Sequence, residues 1–249
     1  MKKINTLSIL VIVCVVLVSA TGGVYFFNKK NLKKSLNVEV VDDEAQKNKE
    51  SNKDVIDKAA RMSVKTVRPA DKNDHLKGEL TAPVQLIVYS DFECPFCFKF
   101  VDSLKQVEKV FGDKVVIAFR HYPLLSHADA IPAAMASECA SEQGKFWEMH
   151  DQLFQDSRDN ALGVSRYKEN AKNLGLDQVK FNKCFDTEQY KKVITESQLE
   201  AKEFGVNGTP ASFINGEPVP GAIPFEDFVD SSGESRKGMK SLIEEKLKK

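Results

Sequence analysis

Two residues separate Cys94 from Cys97, and the pair stands where an apolar run gives way to an amphipathic one. No other feature constrains the fold as strongly. Val84-Gln85-Leu86-Ile87-Val88-Tyr89-Ser90 is an apolar run of strand length, the pattern of a buried parallel strand. After the pair, Phe100, Val101, Leu104, Val107, Val110 and Phe111 predict a helix over Phe98 to Phe111 that Gly112 ends. Val115, Ile117 and Phe119 alternate with Val116, Ala118 and Arg120 as a second strand. The opening unit is therefore strand, helix, strand, with Cys94-Pro95-Phe96-Cys97 at the first strand-to-helix turn.

That position carries chemistry. A helix N-terminus holds about half a positive charge and presents unpaired N–H groups, so Cys94 is expected to titrate below the free value of about 8.5. Cys97, one turn further in, is placed to resolve a mixed disulfide, and Pro95 suits an early helical position because no N–H donor is needed there. Asp91 and Glu93 offer carboxylates for proton relay to Cys97, or are simply solvated charges. A redox dithiol is the leading reading of the pair, ahead of half of a zinc or iron–sulfur site and of an inert structural pair. A four-cysteine site needs a second close pair. Cys139 and Cys184 are far apart, and His75, His121, His127 and His150 are scattered along the sequence, so no metal ligands are assigned.

The rest of the chain reads as one α/β unit. Helices are predicted over Ala130–Gln143, Lys145–Phe154, Ser165–Leu174, Asp177–Phe185 and Glu188–Phe204, broken by Gly144, Gly163 and Gly175. Gly205-Val206-Asn207-Gly208-Thr209-Pro210 leads into a strand at Ala211–Ile214, a turn at Asn215-Gly216 and a short partner strand near Pro218–Val219. Phe225 to Lys249 is expected to close the chain as a polar, largely helical segment. A helical block thus interrupts one sheet. Lys and Arg number 36 and Asp and Glu number 36, a balance without the basic excess of a nucleic-acid binder.

At the N-terminus Lys2 and Lys3 precede 21 uncharged residues, Leu7 to Phe27. This is long enough for a membrane anchor, and its dense first part with Val18-Ser19-Ala20 also fits a cleaved signal peptide. Lys29, Lys30, Lys33 and Lys34 lie just beyond, against the positive-inside tendency for an exported chain, yet either version exports the remainder of the chain. Cys14 lacks the small preceding residue that lipidation needs and reads as a membrane hydrophobe. Residues 28–63 are a charged linker with a short helix, and the globular part begins near Val64.

The combination of Asp91-Phe92-Glu93-Cys94-Pro95-Phe96-Cys97 with Gly205-Val206-Asn207-Gly208-Thr209-Pro210 resembles the thioredoxin superfamily, and within it the DsbA-type disulfide oxidoreductases. Arg120-His121-Tyr122-Pro123-Leu124 and Glu142-Gln143-Gly144-Lys145-Phe146-Trp147-Glu148 add a likeness to the bacterial branch with a helical insert. The resemblance implies a thioredoxin fold over residues 64–249 with an all-helical insert at about 128–204. It implies that Pro210 is a cis-proline facing the pair and that Thr209 offers backbone groups to an extended substrate peptide. It also implies disulfide transfer to reduced or unfolded exported proteins, reoxidation by a membrane redox partner, an extracytoplasmic location and no cofactor beyond the redox-active disulfide. No nucleic-acid partner is expected. Reductase or isomerase action on the same scaffold, and a non-catalytic metal- or substrate-binding module, remain as alternatives.

The sequence departs from the familiar pattern by having Pro-Phe between the cysteines, where the best-known strong oxidants of this family carry Pro-His. The strand Val84–Ser90 also lacks the buried carboxylate many relatives use as a proton acceptor. Cys139 and Cys184 lie in the insert, where relatives often carry a disulfide. In an exported chain that pairing is favoured over two buried thiols or a second redox centre. His121 and His127 are expected to be structural rather than tuners of Cys94. Phe146, Trp147 and Phe154 are assigned to the insert core; the resemblance implies an apolar surface around the pair that grips unfolded substrates, for which Phe92 and Phe96 are candidates beside a plain packing role.

Overall fold

A computed structural model describes residues 66–248. The expectations for residues 1–27, the linker 28–63 and Cys14 lie outside the described residues. Among the described residues no helix is long and apolar enough to cross a membrane.

The sheet is built outward from the apolar run. β2 (Val84–Ser90) runs parallel to β3 (Val115–His121), from Val84↔Val115 to Ser90↔His121. Every residue of β3 is buried, which explains its continuous hydrophobicity: both faces of a central strand are covered. β4 (Ala211–Ile214) lies antiparallel on the other side of β2, and β5 (Glu217–Val219) follows it across the Asn215-Gly216 turn. A short edge strand, β1 (His75–Lys77), pairs antiparallel with β3 and completes the order β1-β3-β2-β4-β5. Its three residues carry no periodic signal in the sequence; the pairing to β3 creates the strand. Gly78 ends it at φ +97°, where a Cβ would stand 2.6 Å from the Val115 carbonyl oxygen, so only glycine fits.

α1 (Pro95–Phe111) buries Cys97, Phe100, Val101, Val107 and Phe111 at helical spacing. Phe100, Val107 and Phe111 pack on one sheet face with Val84, Leu86, Ile117 and Ile243, the last from α7 (Met239–Leu247). The opposite face buries Ile87, Tyr89, Ala118, Tyr122 and Phe213. There Arg120 is buried and holds Asp74 through Nε at 2.7 Å and Nη2 at 2.8 Å, while Nη1 donates to the Tyr89 hydroxyl at 3.0 Å. A buried guanidinium is tolerated only with its charge paired and its N–H groups bonded, as here.

The insert comprises α2 (Ala130–Ser141), α3 (Phe146–Arg158), α4 (Val164–Asn173), α5 (Gln178–Asp186) and α6 (Lys191–Glu203). Nine of the 12 residues of α2 are buried, as suits the central rod of a helical block. Cys139 on α2 and Cys184 on α5 form a disulfide with an S–S distance of 1.98 Å. α3 outruns its apolar period by four residues because Asp156 is buried and accepts from Arg166 Nε at 3.0 Å and Asn170 Nδ2 at 2.6 Å. α6 starts later than Glu188, which adopts φ +52°, outside the helical region. The C-terminal expectation is corrected. Residues 228–236 form a hairpin of β6 (Phe228–Val229) and β7 (Ser235–Arg236), and only α7 is helical. Asp230 stabilises its turn by accepting from the N–H groups of Ser232 at 2.9 Å and Glu234 at 3.1 Å.

Candidate active site

Cys94 is the N-cap of α1, with extended backbone (φ −74°, ψ 122°), and Pro95 occupies the first turn. The Cys97 N–H donates to the Cys94 carbonyl at 3.0 Å, folding the two residues onto one turn. Both cysteines are free and buried, Cys94 at 3% exposure and Cys97 at 1%. Across from Cys94, the Thr209–Pro210 peptide bond is cis, and the Cys94 thiol donates to the Thr209 carbonyl oxygen at 3.3 Å. The loop from Phe204 to Ala211, with Pro218 and Val219, lines a groove of about 720 Å³ beside Pro210.

The electrostatics separate the two sulfurs. The S–H of Cys97, donated to the Cys94 sulfur, has the largest influence and lowers the Cys94 pKa to about 5. Burial opposes this, and the Thr209 hydroxyl and the N–H groups of Cys97 and Phe96 add to the lowering. Among the described residues the buried Thr209 hydroxyl has no hydrogen-bond partner, so a thiolate at Cys94 gives it an acceptor. Burial first, and then the Cys94 sulfur, push Cys97 well above its ordinary value. The Ser90 hydroxyl and the Asp91 backbone act in the opposite direction.

Asp91 and Glu93 are both committed to holding backbone. The Asp91 side chain is fully buried and accepts from the N–H groups of Glu93 and Leu124 and from His127 Nδ1, each at 2.8 Å. Glu93 Oε2 accepts from the Asp129 N–H at 2.6 Å, just ahead of α2. β2 itself carries no buried carboxylate; the next residue, Asp91, does. Its oxygens tie the segment after β3 to the redox turn, and His127 serves that same contact. Phe92 is corrected as a substrate contact: it is 1% exposed and packs against Phe119 and Phe154 at 5.5 and 4.8 Å. Phe96, between the two cysteines, is 58% exposed. Phe146 and Phe154 are buried, and Trp147 packs beside them with Nε1 donating to the Leu76 carbonyl at 2.8 Å.

The histidines scattered in sequence do not stay apart in space. His75 Nε2 and His121 Nε2 approach the same oxygen of Glu138, Oε1, at 2.7 and 2.8 Å. Sequence reasoning missed Glu138. The signal was present, since it is the only charged residue between Ala130 and Ser141, and a lone acid in an apolar helix needs a partner.

A strand-to-helix turn meeting a cis-proline loop beside a central sheet is the arrangement of the thioredoxin class of fold. The thioredoxin sequence profile matches residues 70–231, and the chain belongs to this family. Among solved structures, oxidised BdbD from Bacillus subtilis is similar at 22% identity and a TM-score of 0.61, covering 75% of this chain and 99% of that one. The alpha-DsbA1 of Wolbachia pipientis is similar at 22% identity and a TM-score of 0.55, covering 71% and 92%. The Na(+)/H(+) antiporter NhaA 1 of Mycolicibacterium vanbaalenii is 36% identical over 159 residues, 62% of this chain. The chain spans 25% of that antiporter's length.

Proposed function

We propose that the protein is an exported thiol–disulfide oxidoreductase that transfers a disulfide from Cys94–Cys97 to reduced substrate proteins. The observation that carries this reading is the placement of the pair: Cys94 caps the N-terminus of α1 with Cys97 one turn in, and its sulfur meets the carbonyl oxygen of the cis Thr209–Pro210 bond at 3.3 Å. In the oxidised enzyme a substrate thiolate attacks the Cys94 sulfur. The Cys94–Cys97 bond breaks, and Cys97 leaves as a thiolate beside the Ser90 hydroxyl and then takes up a proton. A second substrate thiolate attacks the substrate sulfur of the mixed disulfide, and Cys94 departs as a thiolate. The substrate loses two electrons and two protons; the enzyme pair gains two electrons. A low leaving-group pKa speeds the last step and favours release of oxidised substrate.

The groove beside Pro210 suits an extended peptide, with the Thr209 backbone offered as in strand addition. Exposed Phe96 gives an apolar contact to unfolded chains. Export is supported by the apolar segment 7–27 and by the Cys139–Cys184 disulfide, a bond that persists in oxidising compartments. Reoxidation falls to a membrane redox partner, and the protein's own disulfide is its redox centre. Glutathione titration with thiol trapping tests the direction of transfer. A potential near the strong oxidants, about −120 mV, is expected; one near thioredoxin, about −270 mV, would overturn the oxidase reading in favour of a reductase.

A further inference from the structure

We propose that His75, His121 and Glu138 form a binding site for one transition-metal ion of the zinc class, at the junction of the sheet and the helical insert. Their ligand atoms, two imidazole nitrogens and one carboxylate oxygen, all lie within 4.8 Å of one another. The fold brings them together for a simple reason. His75 pairs with Phe119 across β1 and β3, and His121 lies two residues beyond Phe119, so both imidazoles stand on one sheet face. α2 crosses that face and delivers Glu138.

The donors are held in place before any ion arrives. The His75 ring stacks on Phe146 with centroids 3.4 Å apart and planes 5° from parallel. His121 meets Phe119 edge-on at 5.3 Å. Glu138 precedes Cys139, so the disulfide to α5 anchors its helix. Zinc bonds of about 2.0–2.1 Å set tetrahedral donors about 3.3 Å apart, so the carboxylate retracts by about half an ångström from its present contacts while the two imidazole nitrogens, now within 4.8 Å, close by up to about 1.5 Å through ring rotation. Two nitrogens and one oxygen suit zinc and its transition-metal neighbours, whereas calcium and magnesium take oxygen. A cavity of about 320 Å³, reaching Asn73, Glu196 and Ser197, adjoins the three side chains and has room for a water as fourth ligand. The ion ties β1 and β3 to α2, and so fixes the insert against the strand end whose Ser90↔His121 pair lies beside Cys97.

The test uses the full-length chain with Cys94–Cys97 oxidised and Cys14 alkylated, so that thiols do not compete. Zn²⁺ is titrated against a chromogenic chelator, and Co²⁺ is used as a spectroscopic probe. One equivalent of zinc is expected, together with visible Co²⁺ bands and no thiolate charge-transfer band. His75→Ala and Glu138→Gln, checked for folding by circular dichroism, are expected to lower the affinity by more than about 100-fold, beyond the 10–100-fold typical of supporting residues. No zinc uptake by the wild-type chain would overturn the proposal. So would uptake unchanged in a folded His75→Ala chain, or displacement of zinc by excess Ca²⁺. If neither variant folds, the wild-type Co²⁺ spectrum decides: nitrogen and oxygen bands support the site, and their absence overturns it.

Discussion

The lowered pKa of Cys94 predicts how the reduced protein's stability changes with pH. An unfolded thiol titrates near 8.5 and the folded Cys94 near 5, a gap worth about 5 kcal/mol at 1.36 kcal/mol per pH unit. The pKa falls on folding, so this stability is present in full only above pH ~8.5 and vanishes as pH drops through 5. At pH 7, two pH units above the folded value, about 3 kcal/mol is realised. The perturbation is Cys94→Ala, which removes the titration while leaving the rest of the ionisable groups in place. Urea unfolding of the reduced wild type and of the variant, at pH 4 and pH 7, gives the difference free of other titrations. The wild-type advantage should grow by about 2–3 kcal/mol between the two pH values. Because the same effect stabilises the reduced state over the oxidised one, it raises the potential by about 60 mV at pH 7. Thiolate absorbance near 240 nm should rise with a midpoint near 5. A midpoint near 8.5, with a pH-independent difference between wild type and variant, would refute the assignment of hydrogen bonds to the Cys94 sulfur.

Two further perturbations separate scaffold from site. Cys139→Ser together with Cys184→Ser opens the loop that the disulfide closes across a sequence separation of 45, worth about 4 kcal/mol in the chain-entropy model, so the melting temperature should fall by about 8–16 °C. The Cys94 absorbance midpoint, measured well below that melt, should not move. Phe96→Ser removes an exposed ring and should change stability by less than about 0.5 kcal/mol. It should raise KM for a reduced, unfolded substrate by about tenfold, the equivalent of one apolar side chain left unburied, with kcat unchanged.

The parts of this protein legible in its sequence are those written in contiguous residues. The Cys94–Cys97 turn, the strand before it and the helix after it follow one another directly, and periodicity with capping chemistry suffices to place them. The cis-proline loop is legible for the same reason: Gly205 to Pro210 is a single motif. β1 is not legible, because His75-Leu76-Lys77 becomes a strand only by pairing with β3. The C-terminal hairpin escapes a pattern-based reading because its order rests on Asp230 and the residues just beyond it, with almost no apolar pattern. The His75, His121 and Glu138 cluster is hidden by separation: Glu138 stands 63 positions after His75. Only the register of β1 on β3 and the crossing of α2 close that gap.

Asp91 and Glu93 show what the acidic flanks of the redox pair hold together. Leaving β2, the chain turns sharply into α1, and the segment after β3 must approach it closely for the insert to begin at Asp129. Such an approach brings backbone N–H groups of Glu93, Leu124 and Asp129 out of water, and each needs an acceptor. The two carboxylates supply all three acceptors and take His127 as well. Each side chain therefore links the redox turn to the segment that leads into the insert. The Cys94 N–H in turn donates to the Asp91 carbonyl oxygen at 3.2 Å, so this one residue braces the redox turn with its backbone as well as its side chain.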